Sequence, residues 1–267
     1  MTTNRMLGKK PPRVDPRTLQ FRNYLRKRRG KSPGPLPIPP DEISYVVKVP
    51  SWPMLLNDQI GDCVIAAMGH MIQQWTFFAT GGAGMQTMTD AEALAAYAAI
   101  GGYNPNDPST DQGCDMLTAL NYWRNHGIMA GGKLHKIGGF VACDPRNLLE
   151  ARQSIWMFGN QFTGVALPLS ARGADDWTVP DGGIYSPAGQ PGSWGLHCIP
   201  VMAESPLTLT CVSWPSPEHE RLKMSHNFRG DYVDECYAIL SPDWLTAQGD
   251  SIAGFNLAAL HKDIAAI

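Results

Sequence analysis

The sequence predicts an α+β fold, in which a helical first half packs on an antiparallel sheet. Helical patterning and capping signals dominate up to about residue 159, and short β-favouring runs between Gly, Pro and Ser clusters dominate after it. Because the two kinds of segment do not alternate, antiparallel pairing is favoured over a doubly wound parallel sheet. With 267 residues, of which 43% are hydrophobic, the chain is large enough to bury a substantial core.

The first two predicted helices follow one another closely. Segment 61–80 is apolar on nearly every side and contains no proline, which predicts a helix buried inside the domain, with His70 as a core histidine. Thr89 and Glu92 have the spacing of a capping box ahead of an alanine-rich helix. That second helix is expected to end at Gly101, the first residue of a glycine pair.

Two further helices and a set of strands complete the predicted domain. A third helix is expected over 114–126, where Gly127 stops it. Asp144 and Pro145 suit the N-cap and first position of a fourth helix. The predicted strands are the runs FTGVALPL, LHCIPVMA, LTLTCVSW and ECYAIL.

The N-terminal part of the chain is a basic arm. Residues 1–31 contain eleven Lys or Arg and the single acidic residue Asp15, a balance of +10, which leaves the rest of the chain at −12. A strap with five prolines, 32–40, follows the arm and favours an extended conformation. We therefore divide the chain into an accessory arm and strap, 1–40, and one domain, 41–267.

The arm is expected to dock on protein. Leu19, Phe21, Tyr24 and Leu25 are interleaved with its charges, so the acidic body of the same chain or a neighbouring subunit is the simplest partner. A net charge of −2 for the whole chain argues against a general nucleic-acid binder. The arm lacks the apolar stretch of a signal peptide, and no apolar run is long enough to span a membrane. We expect a cytoplasmic or virion-associated protein.

Cys63 is the candidate nucleophile. It lies at the start of the buried helix, after Gly61 and Asp62, where unpaired backbone amides and the helix dipole stabilise a thiolate. His197 is the candidate base, because it begins a predicted strand behind a glycine-rich approach. An imidazolium beside the sulfur would stabilise the thiolate further.

The sequence resembles the papain-like cysteine peptidases over roughly residues 50–245. Cys63 and His197 are 134 residues apart, within the interval of about 130 to 150 residues typical of that class. Within the superfamily, the chain is most similar to uncharacterised papain-like proteins of actinobacteria and their phages. The segments that carry the resemblance are NDQIGDCVIAA, DQGCDMLTALNYWRNHGI, WGLHCIPVMA, the dipeptide Ser213-Trp214 and YVDECYAILSPDWL.

The resemblance implies further site residues, and two of them differ here. The family places a glutamine that donates to the oxyanion six residues before the cysteine, where this chain has Asn57, and Gln59 stands four before. Either carboxamide could donate. The family's asparagine before Ser-Trp, which orients the imidazole, is replaced by Val212. Ser213 could take that role, with Asn227 as a remote substitute.

Two functions follow from these observations. The first is a cysteine hydrolase that cleaves peptide or amide bonds of a peptide or protein substrate through the Cys63–His197 pair, in a papain-like fold with a cleft between its halves. The alternative is a catalytically silent papain-fold structural or interaction protein, such as a phage virion component that docks through its basic arm. Neither function calls for a cofactor. A zinc site built from Cys198, Cys211 and His197 would lack the short paired ligand spacings of such sites.

Overall fold

The computed structural model describes residues 6–25, 38–213, 221–248 and 257–266. Most of the strap, Trp214 and the arm residues 1–5 and 26–31 lie outside these ranges. The helices are α1 (Cys63–Thr80), α2 (Asp90–Gly101), α3 (Met116–Asn125), α4 (Leu148–Phe158), α5 (His226–Tyr232), α6 (Pro242–Gln248) and α7 (Leu257–Ile264). The strands are β1 (Ile43–Ser44), β2 (Ile128–Ala130), β3 (Lys133–His135), β4 (Gly139–Cys143), β5 (Gln161–Leu167), β6 (Gly195–Glu204), β7 (Thr208–Val212), β8 (Arg221–Ser225) and β9 (Val233–Leu240).

Seven of the strands form one sheet. Its order is β4-β9-β5-β6-β7-β8, and β1 pairs with the end of β6. Every pairing between these named strands is antiparallel, and β2 and β3 form a separate antiparallel hairpin. The predicted α+β class with an antiparallel sheet is therefore confirmed.

Strand β6 separates the two hydrophobic cores of the molecule. Cys198 and Met202 pack in one core with α1, α2 and α3, whereas Ile199 and Val201 pack in the other core behind the sheet. This alternation is expected of a strand with both faces covered. It places α1 directly against β6, the contact on which the site depends.

The buried helix predicted over 61–80 is α1. Its residues from Cys63 to Thr76 are all buried, and it ends at Gly81, whose φ of 62° is the left-handed conformation of a helix C-cap. The capping box of α2 also forms, because the Thr89 hydroxyl accepts from the Glu92 amide and the Glu92 carboxylate accepts from the Thr89 amide. Both helices thus begin and end close to where the sequence predicts.

The fourth helix begins later than the sequence predicts. Its N-cap is Asn147, whose side chain accepts from the Glu150 amide. Asp144 caps a turn instead, since its carboxylate accepts from the Arg146 amide only two residues on. The same region holds an unpredicted strand, β4, so the helical half contributes one edge of the sheet.

The described part of the arm lies against its own domain. Phe21 is fully buried and meets Phe158 edge to face, with ring centroids 6.2 Å apart. The Tyr24 hydroxyl donates to Asp263 at 2.9 Å, and Leu25 is also buried. In the described ranges, no helix has both the length and the apolar character needed to cross a membrane.

Candidate active-site cleft

Cys63 lies where the helical half meets the sheet. It is the first residue of α1, and its sulfur accepts hydrogen bonds from the backbone amides of Gly8 and Cys198. Cys198 directly follows His197 on β6. The sulfur therefore faces the backbone of the strand that carries the candidate base.

His197 is buried near the start of β6. It is paired with Val165 of the neighbouring strand β5, which fixes its backbone in the middle of the sheet. The carbonyl of the preceding residue, Leu196, accepts from the amide of Lys9. The backbone groups on either side of His197, the Leu196 carbonyl and the Cys198 amide, thus face the cleft between the helical half and the sheet.

An extended stretch of the arm, residues 6–10, lies in this cleft, and we call it the cleft segment. On the helical side, the Met6 amide donates to the Asn57 carbonyl at 2.7 Å. The Cys114 amide donates to the Gly8 carbonyl at 2.7 Å, and the Lys10 amide donates to the Cys114 carbonyl at 2.9 Å. These main-chain bonds are those of a strand laid beside another, in parallel orientation.

On the sheet side, Lys9 holds the cleft segment. Its amide donates to the Leu196 carbonyl at 3.3 Å. Its ammonium lies 2.9 Å from carboxylate oxygens of both Asp234 and Glu235. The cleft segment is therefore bonded to both walls of the cleft.

Backbone passes directly over backbone at Gly8. A Cβ at this position would lie 1.6 Å from the carbonyl oxygen of Gly61, and a Cβ at Gly113 would lie 2.1 Å from the Gly8 carbonyl oxygen. Asp111 holds this wall in place by accepting from the Gly61 amide at 3.0 Å and from the Tyr97 hydroxyl at 2.6 Å. Only glycine fits at Gly8 on this path.

The cleft segment changes the electrostatics expected of Cys63. The sequence predicts a stabilised thiolate, but the thiol is 0% exposed, and burial raises its pKa to about 12. The amides of Gly8 and Cys198 lower the pKa, whereas the neighbouring Asp62 carboxylate raises it. The amides bonded to the sulfur come from the cleft segment and from β6 rather than from the helix terminus, and exclusion of water outweighs them.

Asn57 is placed to donate to a peptide carbonyl. It is buried, and its amide nitrogen donates to the carbonyl of Met6 at 3.1 Å, to that of Ile60 at 3.2 Å and to Asp62 Oδ1 at 3.1 Å. Burial raises the pKa of the Asp62 carboxyl well above its usual range. Gln59 is exposed.

The two candidate orienting residues differ in their exposure. Ser213 directly follows β7 and is buried, and its hydroxyl has no hydrogen-bond partner among the described residues. Asn227 is exposed on α5. In the described ranges, no three His, Cys, Asp or Glu side chains are grouped so that they could hold a metal ion.

No family model matches the chain, and no curated protein matches it. Solved structures do match. Xylellain, a cysteine protease from Xylella fastidiosa, superposes with a TM-score of 0.65 at 10% identity, over 90% of this chain and 97% of that chain. The chain has a papain-like fold.

Two other solved structures support the papain-like fold. Procathepsin B from Trypanosoma congolense matches with a TM-score of 0.54 and 12% identity, over 88% of this chain and 86% of that one. Procathepsin L 3 of the Tenebrio molitor larval midgut matches with a TM-score of 0.52 and 12% identity, over 90% and 77%. The predicted papain-like architecture is confirmed. Because the sequence identities are this low, the similarity supports the fold alone.

Sequence reasoning missed the cleft segment. The docking residues Phe21, Tyr24 and Leu25 carry an apolar signal, but residues 6–10 have none that separates them from the rest of the basic arm. Their position depends on main-chain bonds, on the ion pairs of Lys9 and on a single glycine, Gly8. None of these features produces a periodic pattern in a sequence.

Proposed function

We propose that this protein is a cysteine hydrolase that cleaves peptide or amide bonds, with Cys63 as nucleophile and His197 as base. One observation supports the proposal most. The Cys63 thiol lies at a helix N-terminus, against the strand of His197 and beneath an extended peptide held by main-chain hydrogen bonds on both sides. A cleft that binds extended peptide over a thiol suits acyl transfer from a peptide bond.

The proposed chemistry has two steps. His197 takes the thiol proton, the Cys63 thiolate attacks the carbonyl carbon, and the amine leaves with the proton from the imidazolium. Water then hydrolyses the thioester and returns the thiol. Asn57, which already donates to a peptide carbonyl in the cleft, would stabilise the oxyanion together with the Cys63 amide, and Ser213 would orient the imidazole.

Asn57 and Gln59 are the two candidates for the side chain that donates to the oxyanion. Removing one oxyanion donor lowers kcat by roughly 10² to 10³. The proposal expects this loss for Asn57→Ala and little change for Gln59→Ala, because Gln59 is exposed. Since Asn57 also holds Asp62, thermal unfolding of each variant separates a catalytic loss from a folding defect.

Turnover requires the cleft segment to leave. Alanine at position 8 cannot follow the present path, because its Cβ would collide with the Gly61 carbonyl oxygen. Full-length Gly8→Ala should therefore cleave a mixed peptide library, as followed by mass spectrometry. The matched control is Gly230→Ala, since a Cβ at Gly230 meets nothing within 4 Å.

Two further variants decide whether any cleavage belongs to the proposed site. Cleavage by Gly8→Ala should disappear when Cys63→Ala or His197→Ala is added. Cleavage that survives both substitutions would overturn the proposal, and so would a folded Gly8→Ala protein that cleaves no peptide.

The alternative function is a silent papain-fold protein, such as a phage virion component related to those of actinobacterial phages. The full burial of Cys63 and the presence of Val212 in place of the orienting asparagine favour it. In that case Gly8→Ala would cleave nothing, and the arm, 1–40, would be needed for assembly with a protein partner or a neighbouring subunit. A virion-associated or cytoplasmic location remains part of this proposal.

A further inference from the structure

The ammonium group of Lys9 fills a pocket at the sheet side of the cleft. Its side chain is 0% exposed, and its nitrogen lies 2.9 Å from Asp234 Oδ2 and 2.9 Å from Glu235 Oε1. The same nitrogen donates to the Lys10 carbonyl at 3.2 Å. All three partners are oxygen acceptors, as a primary ammonium requires.

The pocket is shaped as well as charged. The Glu235 side chain is only 7% exposed, and its other oxygen accepts from the Tyr237 hydroxyl at 2.8 Å, which fixes the direction of the carboxylate. A Cβ at Gly164 would lie 2.2 Å from Lys9 Cε. The absence of a side chain at Gly164 therefore provides the space through which an unbranched chain reaches the acids.

The balance of charge in the pocket calls for a cation. Burial opposes a charge on Lys9, but the Glu235 and Asp234 carboxylates outweigh it and raise the pKa of the ammonium. Burial also raises the pKa of Glu235, although Lys9 acts to lower it. A buried carboxylate without a cation is costly, so a neutral or acidic side chain fits poorly here.

We propose that Asp234 and Glu235 form a specificity pocket for the lysine side chain of a peptide that enters the cleft. In the structure, Lys9 occupies this pocket as part of the chain's own peptide. The inference rests on the proposed function, in that the entering peptide is the substrate. It predicts that the cleft prefers peptides with lysine at the place that Lys9 takes in the structure.

Peptide binding tests the pocket without relying on turnover. The protein is the full-length Gly8→Ala, Cys63→Ala variant, whose cleft segment is displaced and which cannot cleave. The probe is the acetylated and amidated pentapeptide Met-Leu-Gly-Lys-Lys, the sequence of residues 6–10, with affinity measured by calorimetry. Replacing its first lysine by norleucine should weaken binding roughly ten- to hundredfold, because two charge-assisted hydrogen bonds are lost. Glutamate at this place should weaken binding more than norleucine.

Variants of the acids assign the effect. Adding Asp234→Asn and Glu235→Gln should abolish the difference between the lysine and norleucine peptides, whereas adding Asp231→Asn, a change to an exposed neighbouring acid, should preserve it. Circular dichroism checks that each variant is folded. Equal affinity for the two peptides, or no binding of the lysine peptide, overturns the pocket.

The outcomes for the pocket and for the hydrolase are separable. Lysine-dependent binding with no cleavage by the Gly8→Ala variant would overturn the hydrolase and leave the pocket standing. Cleavage without any lysine preference would do the reverse.

Discussion

Replacing Gly8 by alanine should make the Cys63 thiol reactive. In the structure, the Gly8 backbone passes so close to Gly61 that an added Cβ would lie 1.6 Å from a carbonyl oxygen. Since the obstacle is backbone, no side-chain rotation can relieve the contact. The cleft segment must therefore move, and water then reaches the sulfur.

The size of the effect follows from the pKa of the thiol. At pH 8, a pKa of about 12 leaves a thiolate fraction near 10⁻⁴. A return to the ordinary value of 9.0 gives a fraction of about one tenth. Because the thiolate is the reacting species, alkylation of Cys63 should accelerate about a thousandfold.

The assay is alkylation by iodoacetamide at pH 8, followed by peptide mapping to assign the modified cysteine. Gly230→Ala is the control for an alanine placed where there is room. Cys143 and Cys236, which face each other across two strands of the sheet, are buried internal controls that should stay unmodified. Circular dichroism establishes that the Gly8→Ala protein is folded.

The result that would refute this reasoning is equally slow alkylation of Cys63 in the folded Gly8→Ala variant and the parent protein. Burial by the cleft segment would then not be the cause of the low reactivity. Rapid alkylation of the parent protein would refute it in the same way.

Three other predictions follow from the structure. Lys9→Met removes the cation that pairs with Asp234 and Glu235, which weakens the hold on the cleft segment over Cys63. The rate of Cys63 alkylation should therefore rise roughly ten- to hundredfold in the same assay. Burial lowers the pKa of His70 to about 4 from 6.5, so the unfolded chain binds a proton first as the pH falls. The free energy of unfolding, measured by urea denaturation, should therefore drop by about 3 kcal/mol between pH 6.5 and pH 4 because of His70. The His70→Gln variant should lack this contribution to the drop. Thr89→Ala removes one half of a capping box and should lower the free energy of unfolding by about 1 kcal/mol in urea, while a change below 0.3 kcal/mol would contradict it.

Much of the fold could be predicted because its signals are local. The continuous apolar run of α1 and the capping box at Thr89 depend only on neighbouring residues. β4 was not predicted, because it has only five residues, begins with glycine and lies between helices in the sequence. Its partner strand β9 is almost a hundred residues away. Asp144-Pro145 has the composition of a helix start, but an equally local turn competes for the Asp144 side chain.

The candidate site was only partly predictable. The positions of Cys63 at a helix start and of His197 on a strand could be predicted from the sequence. The occupied cleft could not be predicted, because its bonds join residues 6–10 to residues that lie 51 to 187 positions further along the chain. The acidic pocket could not be predicted for the same reason, since only the folded chain brings Asp234 and Glu235 beside Lys9.

The orientation of the cleft segment determines which of its backbone groups meets the Cys63 sulfur. A thiolate attacks a carbonyl carbon, yet the group that Gly8 presents to the sulfur is its amide proton. For the proposed hydrolase, the segment would thus be a dead-end ligand, which fills the cleft without placing a scissile bond at the sulfur. Purified protein should consequently keep its intact mass of 29.2 kDa through long storage, with no self-cleavage near residue 8.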